Sequence, residues 1–201
     1  MNNNIRLPKT KVGYKSFYKI IDVAKVLFRI KGVSLTSINE IIEQSGVATG
    51  TFYNYFDDKL AVYEYLLNDY SKRISNKINE AIKMAKTRED EERLGIKAFL
   101  KFARDDKLSY RIIWESLFIN KDLFIEYYTS FADIYAKRLK RSVNVGDVKD
   151  DLDLNTLAFM LMGISNFVGL HIVFKGDVTD EEIDEITETI MKVLKSGMFN
   201  L

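Results

Sequence analysis

Apolar residues recur at three- and four-residue spacing through every long segment of the chain, and that period predicts helices. Over 17–30, Phe17, Ile20, Ile21, Ala24, Leu27 and Phe28 form one face, and Lys31-Gly32 supplies a stop. Two short helical pieces follow, over 37–44 and 49–55. A long helix over 59–85 carries Tyr63, Leu67, Tyr70, Ile74, Ile78 and Ile82 along one stripe. Thr87-Arg88-Glu89-Asp90 forms a capped start for a helix ending near Arg104, and further helices are predicted over 108–118 and 122–141. Residues 142–152 are the most loop-like stretch. Two long helices close the chain, one over 154–174 and one running from the capping box Thr179-Asp180-Glu181-Glu182 to near Phe199. The pattern predicts an all-α protein.

Composition narrows the chemistry. The 201 residues are 47% apolar, enough for a real core, and include one Pro and no Cys. Without cysteine there is no disulfide framework, thiolate zinc site or cysteine nucleophile. The polar, basic start over residues 1–14 lacks an apolar stretch of the kind a secretory signal needs, so a cytoplasmic protein is expected. Net charge is only +1, yet residues 1–60 carry nine Lys/Arg against five Asp/Glu, while residues 61–201 carry 21 against 24. Arg6, Lys9, Lys11, Lys15 and Lys19 precede any acid. A basic end on a faintly acidic body is the asymmetry expected of a nucleic-acid-binding head. A second basic cluster, Lys137, Arg138, Lys140 and Arg141, sits where a helix ends and matches the negative end of its dipole.

Residues 36–59 carry the sharpest signal. Thr36 or Ser37 can cap a first short helix, with Glu40 at capping-box distance from Ser37 and Ile38, Ile41 and Ile42 on one face. Gly46 stands where a left-handed residue ends that helix, and Val47 plugs the angle to the next. This is the sequence form of a helix-turn-helix, whose second helix enters the major groove. At 100° per residue, Phe52 and Phe56 share the buried side of that second helix. Gly50 and Asn54 then face away, flanked by Tyr53 and Thr51. Glycine lets backbone approach closely, Asn54 can pair with adenine, and Thr51 can meet a thymine methyl or a phosphate. Tyr53, Tyr55 and Lys59 are candidate phosphate clamps, and Lys15, Thr36, Ser37 and Thr49 complete the expected DNA-contacting set.

The run Gly32-x-x-x-Thr36-Ser37-Ile38-x-x-Ile41, then Ser45-Gly46-Val47-x-x-Gly50-Thr51-Phe52-Tyr53-x-Tyr55-Phe56-x-x-Lys59, resembles the DNA-binding domain of TetR-family transcriptional regulators. The likeness covers about residues 14–66 without a gap. It implies a homodimer with one helix-turn-helix per subunit, a C-terminal effector domain, and repression relieved by a small molecule. Two positions depart from the family pattern. Ala48 stands where a capping Ser is common, and Thr49 where Lys is common; Thr49 is an alternative cap, starting the helix one residue later. The basic arm offers compensating contacts to an adjacent groove or to phosphates. The organisation expected is a three-helix DNA-binding domain over 1–60, with arm 1–15 and motif 37–56. It is fused through a long helix to a ligand-binding and dimerisation domain over 61–201.

Residues 154–174 hold no charge and are long enough to raise a membrane span. Asn155, Thr156, Ser165, Asn166 and His171 argue instead for a dimer helix, apolar all round because one side meets its core and the other a partner. With the final helix it would build the dimer interface, with no membrane partner. Tyr110, Trp114 and Phe118, with Tyr127, Phe131 and Tyr135, form aromatic stripes on two helices, and Phe159, Met162, Asn166 and Phe167 can face them. Such a cavity would suit a small hydrophobic or aromatic effector, with Asn166 and His171 orienting it. One histidine leaves little for acid–base catalysis or a metal, no nucleotide-binding loop occurs, and no cofactor is expected. Asp151-x-Asp153-x-Asn155 starts like a calcium loop but lacks its glycine and closing glutamate, and reads as a loop and helix cap. The alternative to a DNA-binding regulator is a helical interaction module that has lost DNA binding.

Overall fold

The computed structural model describes residues 4–198, in which the chain forms nine helices and no extended strand. They are α1 (Lys11–Leu35), α2 (Ile38–Ser45), α3 (Thr49–Tyr53), α4 (Lys59–Ile82), α5 (Arg88–Asp105), α6 (Lys107–Ile119), α7 (Lys121–Asn144), α8 (Leu154–Lys175) and α9 (Asp180–Met198). Phe199, the expected end of the last helix, lies outside the described residues. Two compact units emerge: residues up to 70 together with 112–121, and residues 71–111 together with 122 onward. Helices α4 and α6 each contribute residues to both.

In the first unit, the apolar face of α1 is the floor of the core. Phe17, Ile20, Ala24 and Phe28 are buried with Ile41, Phe52, Phe56 and Tyr63. Phe17 stacks on Phe56 with ring centres 4.9 Å apart and meets Tyr65 edge-on at the same distance. Aromatic burial on this scale lets a short helix-turn-helix hold together. The regular α1 helix breaks at Gly32 as expected, where the backbone is non-helical (φ 79, ψ 166), and one short further turn runs on to Leu35. Thr36 Oγ1 donates to the Gly32 carbonyl at 2.8 Å, tying the kink to the start of α2.

In the second unit, α5 packs against both α8 and α9. Ile96, Leu100, Leu139, Leu157, Leu161, Ile172 and Ile183 are buried in its core. A side chain at Gly169 would press on Phe99 and Tyr110, so glycine lets α8 come close there. The loop acid Asp153 caps α8, accepting from the Thr156 amide at 2.8 Å. Thr179 and Glu182 exchange the two bonds of the capping box that starts α9. Among the described residues α8 alone is long and apolar enough to cross a membrane. Phe159, Met160, Phe167 and Phe174 on it are exposed within a single chain.

Candidate functional site

Helix α2 begins with a complete capping box. The Glu40 amide donates to Ser37 Oγ at 3.2 Å, and the Ser37 amide donates to Glu40 Oε2 at 2.9 Å. Lys31 also pairs with Glu40, and this bond, with those from Ser37, holds the carboxyl at about 2. Ser37, not Thr36, is therefore the cap. At the other end Gly46 takes φ 63 and ψ 26, and its amide closes the helix on the carbonyls of Ile42 and Glu43. That left-handed residue turns the chain into α3.

Helix α3 has only five residues, and its cap position, Ala48, makes no side-chain hydrogen bond. Thr49 lies inside the helix, so the alternative in which it caps a helix starting one residue later is set aside. Phe52 and Phe56 are fully buried, while Gly50 and Asn54 are exposed and Tyr53 is 46% exposed. A Cβ at Gly50 would meet nothing within 4 Å. The side expected to read a duplex is open and flat at its centre. Thr49, Lys15 and Ser37 are also exposed, and Thr51 is half-buried.

Several expected DNA contacts are spent inside the protein. Thr36 is 1% exposed and committed to Gly32. Lys59 Nζ donates to the carbonyls of Thr36 at 2.7 Å and Ser34 at 3.2 Å, clamping the α1–α2 junction. Tyr55 is half-buried, edge-on to Phe17. The described part of the basic arm does not hang free. Ile5 bridges Phe56, and the Arg6 amide donates to the Tyr55 carbonyl at 2.8 Å. The Arg6 guanidinium pairs with Asp57 at 2.6 Å and reaches the Tyr53 carbonyl at 3.3 Å. Arg6 thus satisfies carbonyls at the end of α3, which no helical turn follows. Nothing in the hydrophobic period announces this fold-back.

The second unit holds a partly open cavity of about 170 Å³. Of the ten residues expected around an effector, Tyr127, Phe131, Met162 and Asn166 line it. Tyr110 is buried nearby, its hydroxyl donating to the Asn166 carbonyl, but is not in the wall. Trp114 and Phe118 belong to the first unit, with Phe118 fully on the surface. Phe159, Phe167 and His171 are on the exposed side of α8, so His171 does not bond within the core. For the residues of α8 the mismatch has one cause. Helix α8 is apolar all round, so sequence does not mark its inward side. Asn166 is oriented by its neighbours: Nδ2 donates to the Met162 carbonyl at 2.8 Å, and Oδ1 accepts from the Tyr128 hydroxyl.

The missed wall residues include Tyr128, Ile74, Ile78, Arg88, Glu92 and Arg138. Arg88 and Glu92, one turn apart on α5, are 4% and 2% exposed and pair with each other. The Tyr135 hydroxyl also donates to Glu92. Burial raises the Glu92 carboxyl against the pull of Arg88 and Tyr135. An i,i+4 Arg–Glu pair on a helix reads in sequence as a solvated surface pair. Its burial is invisible there.

Comparison with known proteins places these features. Residues 20–66 match the family model described as bacterial regulatory proteins, tetR family. The chain is 25% identical over 190 residues to the fatty acid metabolism regulator protein of Bacillus subtilis (strain 168), covering 92% of this chain and 96% of that one. It is 23% identical over 161 residues to the uncharacterised HTH-type transcriptional regulator YdgC of the same organism, covering 76% and 78%. Among solved structures, one from Syntrophomonas wolfei, assigned to the TetR family, superposes with a TM-score of 0.79 at 24% identity, over 92% of this chain and 96% of that. The fatty acid degradation regulator FadR of Bacillus halodurans gives 0.75 at 21% identity, over 90% and 95%. At these identities the superpositions speak for the fold.

Proposed function

Because the chain belongs to the TetR family of transcriptional regulators, a DNA-binding and non-enzymatic class, we propose that it acts as a homodimeric repressor released by a small apolar ligand. The DNA-reading role falls to residues 1–60 and the ligand and dimer roles to 61–201. One observation carries the reading. The exposed side of α3 and its C-cap presents Gly50, Tyr53 and Asn54, while Phe52 of that helix and Phe56 just beyond it are fully buried. Asn54 supplies base-edge pairing, and Thr49, Thr51, Tyr53, Ser37 and Lys15 supply backbone contacts that fix register. Two such heads on a twofold axis call for half-sites a whole number of helical turns apart, about 34–36 Å per turn, hence a near-palindromic operator.

The exposed apolar residues of α8 support its role, with α9, as the dimer surface, which a cytoplasmic protein would otherwise leave wet. The cavity supports effector binding in the second unit. For the effector to empty an operator, it must favour the DNA-incompetent form by about 10⁴-fold for a full switch. By linkage, saturating operator must then weaken effector binding by the same factor that effector weakens operator binding. The test is a gel shift and footprint on the intergenic DNA upstream of the protein's own gene. A protected, near-palindromic site is expected. No retardation at low salt overturns the regulator reading in favour of an interaction module.

A further inference from the structure

The cavity's wall is uneven in a way that specifies its occupant. Most of it is aliphatic and aromatic, from Ile74, Ile78, Ile96, Phe99, Phe131 and Leu161. Arg88, Glu92, Tyr135 and Arg138 make it polar. Arg88 is 4% exposed and almost fully committed. Its NH1 donates to Glu91 at 2.7 Å, its NH2 donates to Glu92, and its guanidinium lies over the Tyr135 ring at 5.3 Å. Its third nitrogen, Nε, is buried and its N–H has no hydrogen-bond partner. A buried N–H of a charged group without an acceptor is the costly exception in folded proteins and points to a partner from outside the chain. Resting on the reading of this cavity as the effector site, we propose that its ligand is an apolar monocarboxylate whose carboxylate is received by Arg88, with Arg138 as the second cation.

Charge favours an anion over the other heads. Arg138 also lines the cavity, and its guanidinium bonds to the neutral Oδ1 of Asn79 at 2.6 Å. Of the two guanidiniums at this wall, Arg88 is paired with Glu91 and Glu92, whereas the bond to Asn79 brings Arg138 no neutralising charge. A carboxylate would supply that charge and an acceptor for the Arg88 Nε donor together. An ammonium would face both guanidiniums and leave the Nε donor unmet. An alcohol or ketone would meet the donor but bring no charge to Arg138. Size sets the rest of the molecule. A cavity of about 170 Å³ is comparable with an engineered apolar cavity of roughly 150 Å³ that takes up benzene, so one ring with a short arm fits.

Isothermal titration of the full chain with phenylpropanoate, phenylpropanol and phenylpropylamine tests this. The acid is expected to bind at least tenfold tighter than the alcohol, with the amine weakest. Arg88→Lys keeps the charge but removes the Nε donor. Arg138→Gln removes the second charge at a half-buried position outside the Arg88–Glu92 pair, which keeps the test available should the first variant fail to fold. Each folded variant is expected to lose the preference for acid over alcohol. Equal binding of acid and alcohol by the parent protein, no binding of any of the three, or preference surviving in every folded variant overturns the proposal. An acid preference lost in the folded variants, combined with no operator retardation, upholds the carboxylate site and overturns the regulator reading instead.

Discussion

Gly50 and Gly46 lie four residues apart in the same motif, and replacing each with alanine is expected to act in opposite directions. Neither added methyl touches the protein, since nothing lies within 4 Å of a Cβ at either position. The difference is backbone conformation and what lies outside. Gly50 is inside α3, where Ala is the better helix former by about 0.5–1 kcal/mol. G50A is therefore expected to raise the melting temperature by roughly 1–4 °C for a chain of this size. On the DNA side the same methyl stands at the centre of the open face, where it holds the backbone away from the base edges. A tenfold loss in operator affinity, equivalent to about 1.4 kcal/mol, is the minimum expected. Gly46, at φ 63, is left-handed, and G46A costs about 1–2 kcal/mol from that conformation alone. Its folded fraction should still bind operator normally, and G46N should recover much of the loss.

Urea melts give the stability arm, and fluorescence anisotropy with a labelled operator at one fixed salt concentration gives the affinity arm. A G50A protein that is more stable and binds operator as tightly as the parent refutes the placement of Gly50 against the duplex. A G50A protein that is less stable refutes the claim that its methyl is unopposed.

Other outcomes follow from the same geometry. Lys59→Met should lower stability by ~1–2 kcal/mol through the loss of its bonds to the Ser34 and Thr36 carbonyls. Its salt slope for operator binding should stay that of the parent, whereas a phosphate contact would reduce it by about one. Arg6→Ala breaks an ion pair whose side chains are 53% and 41% exposed, so at most about 1 kcal/mol is expected, again with the salt slope unchanged. Ala48→Ser restores a missing cap to α3 and should add ~0.5–1 kcal/mol by urea melt. Acid should weaken the fold in a defined window. Glu40 and Asp180 are held at about 2 by Lys31 and by Lys101 with Arg104, against ordinary values of 4.5 and 3.8. Their lowered carboxyls stabilise the native state fully above pH 4.5, and that contribution disappears as pH falls toward 2. The urea midpoint should fall across that window and fall less in Glu40→Gln; a flat profile counts against both pairings.

Helical period located the buried face of α1 correctly because one side of that helix is apolar and the other is not. Phe17, Ile20, Ile21, Ala24, Leu27 and Phe28 are all buried. The same geometry separated Phe52 and Phe56 from Gly50 and Asn54 on α3. It failed on α8, where a side chain's direction depends on which neighbour the helix meets. Phe159 and Phe167 were grouped with Met162 and Asn166, yet only the latter pair reaches the cavity. Long-range polar pairing was equally illegible. Lys59 lies 23 residues from Thr36 and Arg6 lies 47 from Tyr53, so no local pattern connects them.

These long-range pairs share a direction that bears on how the head works. Arg6, Thr36 and Lys59, expected at the DNA because they are cationic or hydroxylic, make hydrogen bonds around a helix too short to support itself. A five-residue helix with an uncapped start gains little from its own hydrogen bonds, since forming the first turn is already unfavourable. Its position is instead fixed from outside: Phe52 and Phe56 anchor it below, and Arg6 and the Ile5 bridge bind its trailing carbonyls. Lys59 locks the junction that precedes α2. With these cations bonded within the protein, the proposed reading of sequence falls to the uncharged Gly50, Tyr53 and Asn54, and the proposed phosphate attraction to cations such as Lys15. Truncating residues 1–8 should therefore lower operator affinity by loosening α3 and leave the salt slope close to the parent's. A truncation that flattens the slope by two or more would return the arm to the DNA.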